Sequence, residues 1–154
     1  MTYHIESRIL TSQPTAVIRD SLPAARLPAW FPGVYEEILR HLTAVGAAPA
    51  GPPFARYTFH DDLVDVEAGF PVTGPAPGTG RVTSSSLPAG PAAVTTHHGS
   101  YEDLALAHDA VTDWLKLQGL EAAGTHWEIY YTNPAELPDP AAWRTDLVMP
   151  YRAR

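Results

Sequence analysis

The sequence runs through one order of elements twice, and that repetition limits the folds open to it. In the first half, Tyr3 to Leu10 reads as a strand, and Ala16-Val17-Ile18-Arg19 continues or follows it. Val34, Ile38, Leu42 and Val45 then recur at helical spacing, with Glu36, Glu37 and Arg40 on the other side. Gly46 is a natural stop for that helix, and either Pro28 or Pro32 suits its first turn. Two strands follow, Arg56-Tyr57-Thr58-Phe59 and Leu63 to Val72, joined by a His60-Asp61-Asp62 turn. The second strand alternates: Val64, Val66, Ala68 and Phe70 share one face, Asp65 and Glu67 the other.

The second half opens, after a turn from Pro75 to Gly80, with strand-like Arg81 to Leu87 and Ala92 to His97. These read as a hairpin around Pro88-Ala89-Gly90-Pro91. Ser100, with Asp103 three residues on, is the expected cap of a second helix. Its stripe is Leu104, His108, Val111, Leu115 and Gln118, and Gly119 ends it. A strand around Glu128, a Pro-rich loop from Pro134 to Pro140 and a short strand through Leu147-Val148-Met149 complete the chain. The helix ends match (Leu42 to Gly46, Leu115 to Gly119), as do Phe70-Pro71-Val72 and Met149-Pro150-Tyr151. One β-α-β-β unit cannot bury both its helix and its sheet edge alone, but two side by side can. The expected fold is therefore α+β. Two pseudo-symmetric β-α-β-β modules, near residues 1–77 and 78–154 of a single domain, form an antiparallel sheet with both helices on one face. The seam between them is the expected ligand groove.

The nine residues His126-Trp127-Glu128-Ile129-Tyr130-Tyr131-Thr132-Asn133-Pro134 carry the functional reading. Side chains alternate along a strand, so Glu128 and Tyr130 share a face with His126 and Thr132, while Trp127, Ile129 and Tyr131 face the other way. A carboxylate among large rings is costly unless its charge is compensated, and a lipophilic cation is one such compensation.

Charge and composition exclude several classes. Net charge is −7, from 17 acidic and 10 basic residues, of which only Lys116 is a lysine. Such a surface repels phosphate backbones and favours cations, so no nucleic-acid partner is expected. The chain has no cysteine, which removes disulfides and thiolate metal sites. No secretion signal is visible at the N-terminus, and no apolar run approaches the roughly 20 residues of a membrane span. The expectation is a cytoplasmic protein without a membrane partner, monomeric or weakly dimeric. The glycines at 74, 78 and 80 lie among prolines with no helix after them, and Ser84-Ser85-Ser86 has no glycine elbow. No nucleotide or other cofactor is expected. His97 and His98 point to opposite faces, and no H-x-x-x-H or H-E-x-x-H spacing exists. His126 and Glu128 would share an ion only with a third ligand from elsewhere, so no metal is expected.

These segments together resemble the GyrI-like small-molecule-binding domain, which also serves as the effector-binding part of some AraC-type and BmrR-type transcription regulators. The match rests on His98-Gly99-Ser100-Tyr101, Glu128-Ile129-Tyr130 with Asn133-Pro134, the closing Met149-Pro150-Tyr151, and Val66 to Val72 in mid-chain. The resemblance implies two β-α-β-β modules and a ring-lined cleft for aromatic, often cationic, compounds. It places the cation's acidic partner at Glu128. Lacking room for a DNA-binding helix-turn-helix, the chain is expected to be a stand-alone multidrug binder.

The candidate ligand-binding residues are Glu128, Tyr130, Tyr101, His98, Trp30, Tyr57, Phe70 and Trp114. Each has a plainer reading. Glu128 would be a surface carboxylate or one paired with Arg56 or Arg81, the tyrosines packing residues, Trp114 core, Glu67 a solvated or paired acid. Trp143, in the Pro-rich loop, is a lid or plain surface. Two alternatives accompany binding. One is hydrolysis of cyclopropane-containing toxins, with Glu128 and Tyr130 catalytic. The other is a gyrase-inhibitor-like protein interaction through an acidic face that mimics DNA phosphate.

Overall fold

A computed structural model describes residues 3–74, 77–133 and 136–154. Pro75, at the start of one expected turn, and Pro134, at the head of the Pro-rich loop, lie outside the described residues. The fold is α+β, and every described strand pairing is antiparallel. No described helix is long and apolar enough to cross a membrane.

The chain divides into two compact units: Thr11–Ala89, and Met1–Leu10 with Gly90–Arg154. The first contains β2 (Gln13–Pro23), α1 (Leu27–Ala44), β3 (Phe54–His60), β4 (Leu63–Pro71) and β5 (Thr83–Leu87). Its strands lie in the order β3-β4-β2-β5. The second contains β1 (Ile5–Leu10), β6 (Gly90–His98), α2 (Leu104–Leu117), β7 (Leu120–Ala122), β8 (Trp127–Tyr130) and β9 (Arg144–Ala153), in the order β1-β6-β9-β8. β7 pairs with the far end of β9.

Each unit is thus a β-α-β-β module with one further strand on its first strand. That strand is β5 beside β2 in one unit and β1 beside β6 in the other. Here the structure corrects the sequence reading. The stretch from Arg81 to His97 is no hairpin: β5 pairs with β2, and β6 with β1 and β9. Alternation identifies a strand but not its partner, and β2 and β6 offer each strand a long edge. The module bounds move accordingly, to 11–89 and to the remainder of the chain. The closing strand is longer than expected, and β7 is an addition.

The helices end as their glycines dictate. Gly46 and Gly119 have φ of 74° and 72°, a left-handed conformation that costs glycine little. After α1, Gly46 N–H reaches the Thr43 carbonyl at 3.2 Å and Ala47 N–H the Leu42 carbonyl at 2.8 Å, so orphaned carbonyls are satisfied. Of the two prolines, Pro28 lies in the first turn, and Pro32 sits inside the helix. α1 buries Val34, Ile38 and Leu42, while Val45 falls beyond the helix and is exposed. α2 starts later than its expected cap. A 3-10 turn at Tyr101–Asp103 precedes it, and the Ser100 side chain caps no backbone N–H.

In the first unit Leu22, Val64 and Val66 pack with Leu27, Trp30, Phe31 and Tyr57. Glu67, on the opposite face of β4, is 7% exposed. It accepts hydrogen bonds of 2.7 Å from Arg19 on β2 and from Arg56 on β3, both directly opposite in register. In the second unit Ala93, Leu104, Ala107, Val111, Leu115, Leu147 and Met149 form the core between helix and sheet.

Candidate functional site

Glu128 is the most enclosed charged side chain in its unit. It is 2% exposed, on the short strand β8 opposite Leu147. Two donors hold it. The Tyr130 hydroxyl donates to Oε1 at 2.7 Å, and His108 Nε2 lies 2.9 Å from Oε2. Strand alternation supplies Tyr130, two residues on and on the same face. α2 supplies His108, whose position on the helix stripe turns it towards β8. Arg56 and Arg81 bind Glu67 and Glu37. A carboxylate thus stands in a nearly dry place. Such a charge is expensive to bury, and hydrogen bonds offset only part of the cost.

Rings surround it. Tyr101 meets Tyr130 edge-on with centroids 5.8 Å apart, and Trp143 lies 5.0 Å from Tyr101. His126 meets His108 edge-on at 4.7 Å. Burial, and then the Glu128 charge, push the Tyr101 phenol above its ordinary pKa. Burial first and His108 second push the His126 imidazole below its own, against an opposing pull from Glu128.

The turn that carries Tyr101 is fastened from below. His97, fully buried, sits between the Ser100 carbonyl (2.9 Å from Nε2) and the Tyr3 hydroxyl (2.9 Å from Nδ1). A carbonyl only accepts, so Nε2 carries the proton and Nδ1 accepts from Tyr3. Gly99 N–H donates to the Trp143 carbonyl at 3.0 Å, and Trp143 Nε1–H to the Leu137 carbonyl at 2.6 Å. Tyr101 and Trp143 are therefore positioned together.

The sequence-derived residues fall into separate groups. Glu128, Tyr130 and Tyr101 come together. His98 does not join them: it is exposed at the end of β6, opposite Arg144 in register. Trp114 packs on the apolar core of its unit and against Tyr151, ring centroids 6.2 Å apart. Trp30, Tyr57 and Phe70 belong to the other unit. There Trp30 donates to Asp20 at 3.0 Å, Tyr57 stands edge-on to Phe59, and Phe70 to Tyr35. Sequence reasoning missed His108 as a site residue. The available signal was a polar residue in an otherwise apolar helix stripe. The plainer expectation for Glu67, a paired acid, is what Arg19 and Arg56 provide.

The internal repeat makes the site one-sided. β3 stands in its unit where β8 stands in the other, so Phe54, Ala55 and Tyr57 occupy the positions of Trp127, Glu128 and Tyr130. Ala55 replaces the carboxylate.

The profile of the GyrI-like small molecule binding domain matches residues 10–152. No curated protein matches the chain significantly. Among solved structures, the C-terminal domain of EcmrR aligns over 100% of both chains, with 20% identity and a TM-score of 0.87. EcmrR in its DNA complex aligns over 99% of this chain at 20% identity and a TM-score of 0.86; this chain spans 58% of that longer one. SAV2435 bound to tetraphenylphosphonium aligns over 99% of this chain and 94% of its own, with 12% identity and a TM-score of 0.65. A hydrolase from Listeria innocua aligns over 96% and 91%, with 12% identity and a TM-score of 0.68. At these identities the likeness speaks for the fold.

Proposed function

We propose, from the premise that this chain belongs to the GyrI-like small-molecule-binding domain family, that it binds hydrophobic aromatic cations at Glu128. The observation that carries the reading is the enclosed carboxylate, 2% exposed and held by Tyr130 and His108, with Tyr101 against Tyr130 and Trp143 against Tyr101. An alkali cation such as sodium needs several oxygen ligands in exchange for its water, and one carboxylate does not supply them. A cation spread over aryl groups is weakly hydrated, and its rings can stack on tyrosine and tryptophan. The tetraphenylphosphonium bound to SAV2435 is a ligand of that chemistry.

Rings provide affinity with little demand on shape, so the specificity should be broad within this class. Charge should then be the main discriminator. Titration of intrinsic fluorescence with tetraphenylphosphonium, and with neutral triphenylphosphine oxide, tests this. The cation should bind at least about 30-fold tighter, the equivalent of about 2 kcal/mol. Equal affinities would remove the role of Glu128 as charge selector.

A second reading draws on the Glu128–Tyr130 hydrogen bond, which pairs a base with a proton donor at one spot. It is hydrolysis of cyclopropane-containing toxins. Mass analysis after incubation with such a compound separates it from binding, since turnover yields a product heavier by one water.

A further inference from the structure

We propose that His108, His126 and Glu128 bind one divalent transition-metal ion of the zinc class. One ligand atom from each lies within 4.8 Å of the other two. Two features of the fold produce this. His126 immediately precedes β8 and Glu128 is its second residue, so the two, two residues apart, come to one side. α2 brings His108 over that side, Nε2 at 2.9 Å from Glu128 Oε2, with its ring edge-on to His126 at 4.7 Å.

Ligands on a tetrahedral zinc ion, each about 2.1 Å from the metal, stand about 3.4 Å apart. His108 Nε2 and Glu128 Oε2, 2.9 Å apart, need to open by about 0.5 Å, and since the three atoms lie within 4.8 Å of one another, His126 needs to close by at most about 1.4 Å. Ion binding replaces the hydrogen bond between His108 and Glu128 with two metal–ligand bonds, and the imidazole proton moves from Nε2 to Nδ1.

The donor set selects the ion. Two imidazoles with one carboxylate suit zinc, cobalt, nickel or copper. Calcium and magnesium need several oxygen ligands, and one carboxylate is not enough. Tyr130 holds Oε1 of Glu128, as an outer hydrogen bond orients a ligating carboxylate. Three protein ligands leave a coordination position open, the pattern of zinc sites that take water or a substrate. The ion and a lipophilic cation would compete for Glu128, but neither proposal requires the other.

The test is a titration of EDTA-treated protein with Co2+, followed by visible absorption, and with Zn2+, followed by calorimetry. One equivalent of each should bind, and Mg2+ and Ca2+ should not. His108→Ala and His126→Ala should each weaken zinc by at least about tenfold, the scale on which even outer partners act. His60→Ala, at an exposed pair with Asp65 in the other unit, should leave binding unchanged. Circular dichroism checks that each variant is folded, and His126→Gln replaces His126→Ala if the latter is not. Absence of stoichiometric binding to the wild-type protein overturns the site, and so does zinc binding undiminished in both histidine variants.

Discussion

Glu128→Gln should lower the affinity for tetraphenylphosphonium about 100-fold while changing that for triphenylphosphine oxide less than about threefold. The magnitude follows from the charge. The phenyl groups keep the phosphorus of such a cation about 6 Å from a carboxylate. At that distance and an effective dielectric constant near 20, the attraction is about 3 kcal/mol, or about 100-fold in affinity. Ring contacts do not change with the substitution, which is why the neutral compound is nearly indifferent. Nor should the fold change. Glutamine keeps an oxygen to accept from Tyr130, and its amide can donate to His108 Nε2 in the other tautomer. Fluorescence titration of both ligands against both proteins measures the effect. A loss equal for cation and neutral compound would mean that Glu128 shapes the site and does not select charge.

The second large effect concerns stability. Gly69→Ala should cost about 3 kcal/mol, a large part of what a domain this size has to lose. Gly69 lies in β4, with β2 on one side and β3 on the other, opposite Val17 and Phe54. A Cβ added there would stand 2.1 Å from the Ala16 carbonyl oxygen and 2.7 Å from Val17 Cγ1. Val17 and Phe54 are fully buried, and the nearest atom is backbone, so no flexible side chain can swing aside. Relief requires spreading the β2–β4 ladder. Gly33, in α1, meets nothing within 4 Å, and Gly33→Ala should stabilise by about 0.5–1 kcal/mol. Urea unfolding of the two variants should therefore show shifts of opposite sign. A Gly69→Ala loss below about 1 kcal/mol would show that this sheet gives more than its packing implies.

The sequence was informative at some positions and silent at others. The helix ends were legible because Gly46 and Gly119 adopt a conformation that few other residues tolerate. Glu128 was legible because a carboxylate in an aromatic strand conflicts with its surroundings, and such conflicts tend to mark function. The pairing of β5 and β6 was not legible. Alternation is local, whereas β1 finds β6 some ninety residues along the chain, as the pairing of Ile5 with Thr95 shows. The histidines failed for a related reason. His98 drew attention through its place in a motif, but strand parity turns the neighbouring His97 inward, to fix Ser100. His108 looked like one more position on a helix stripe. Only the approach of α2 to β8 gives it a carboxylate to face. The aromatic residues were identifiable as a set but not sortable, because Trp114 in a core and Tyr101 beside Glu128 have the same local signature.

A crystal structure of the protein with tetraphenylphosphonium tests the central claim most directly. The account predicts phosphorus within about 6 Å of the Glu128 carboxylate, with phenyl groups against Tyr101 and Tyr130 at the range of ring and cation–π contacts. A ligand seated elsewhere, away from Glu128, would contradict it.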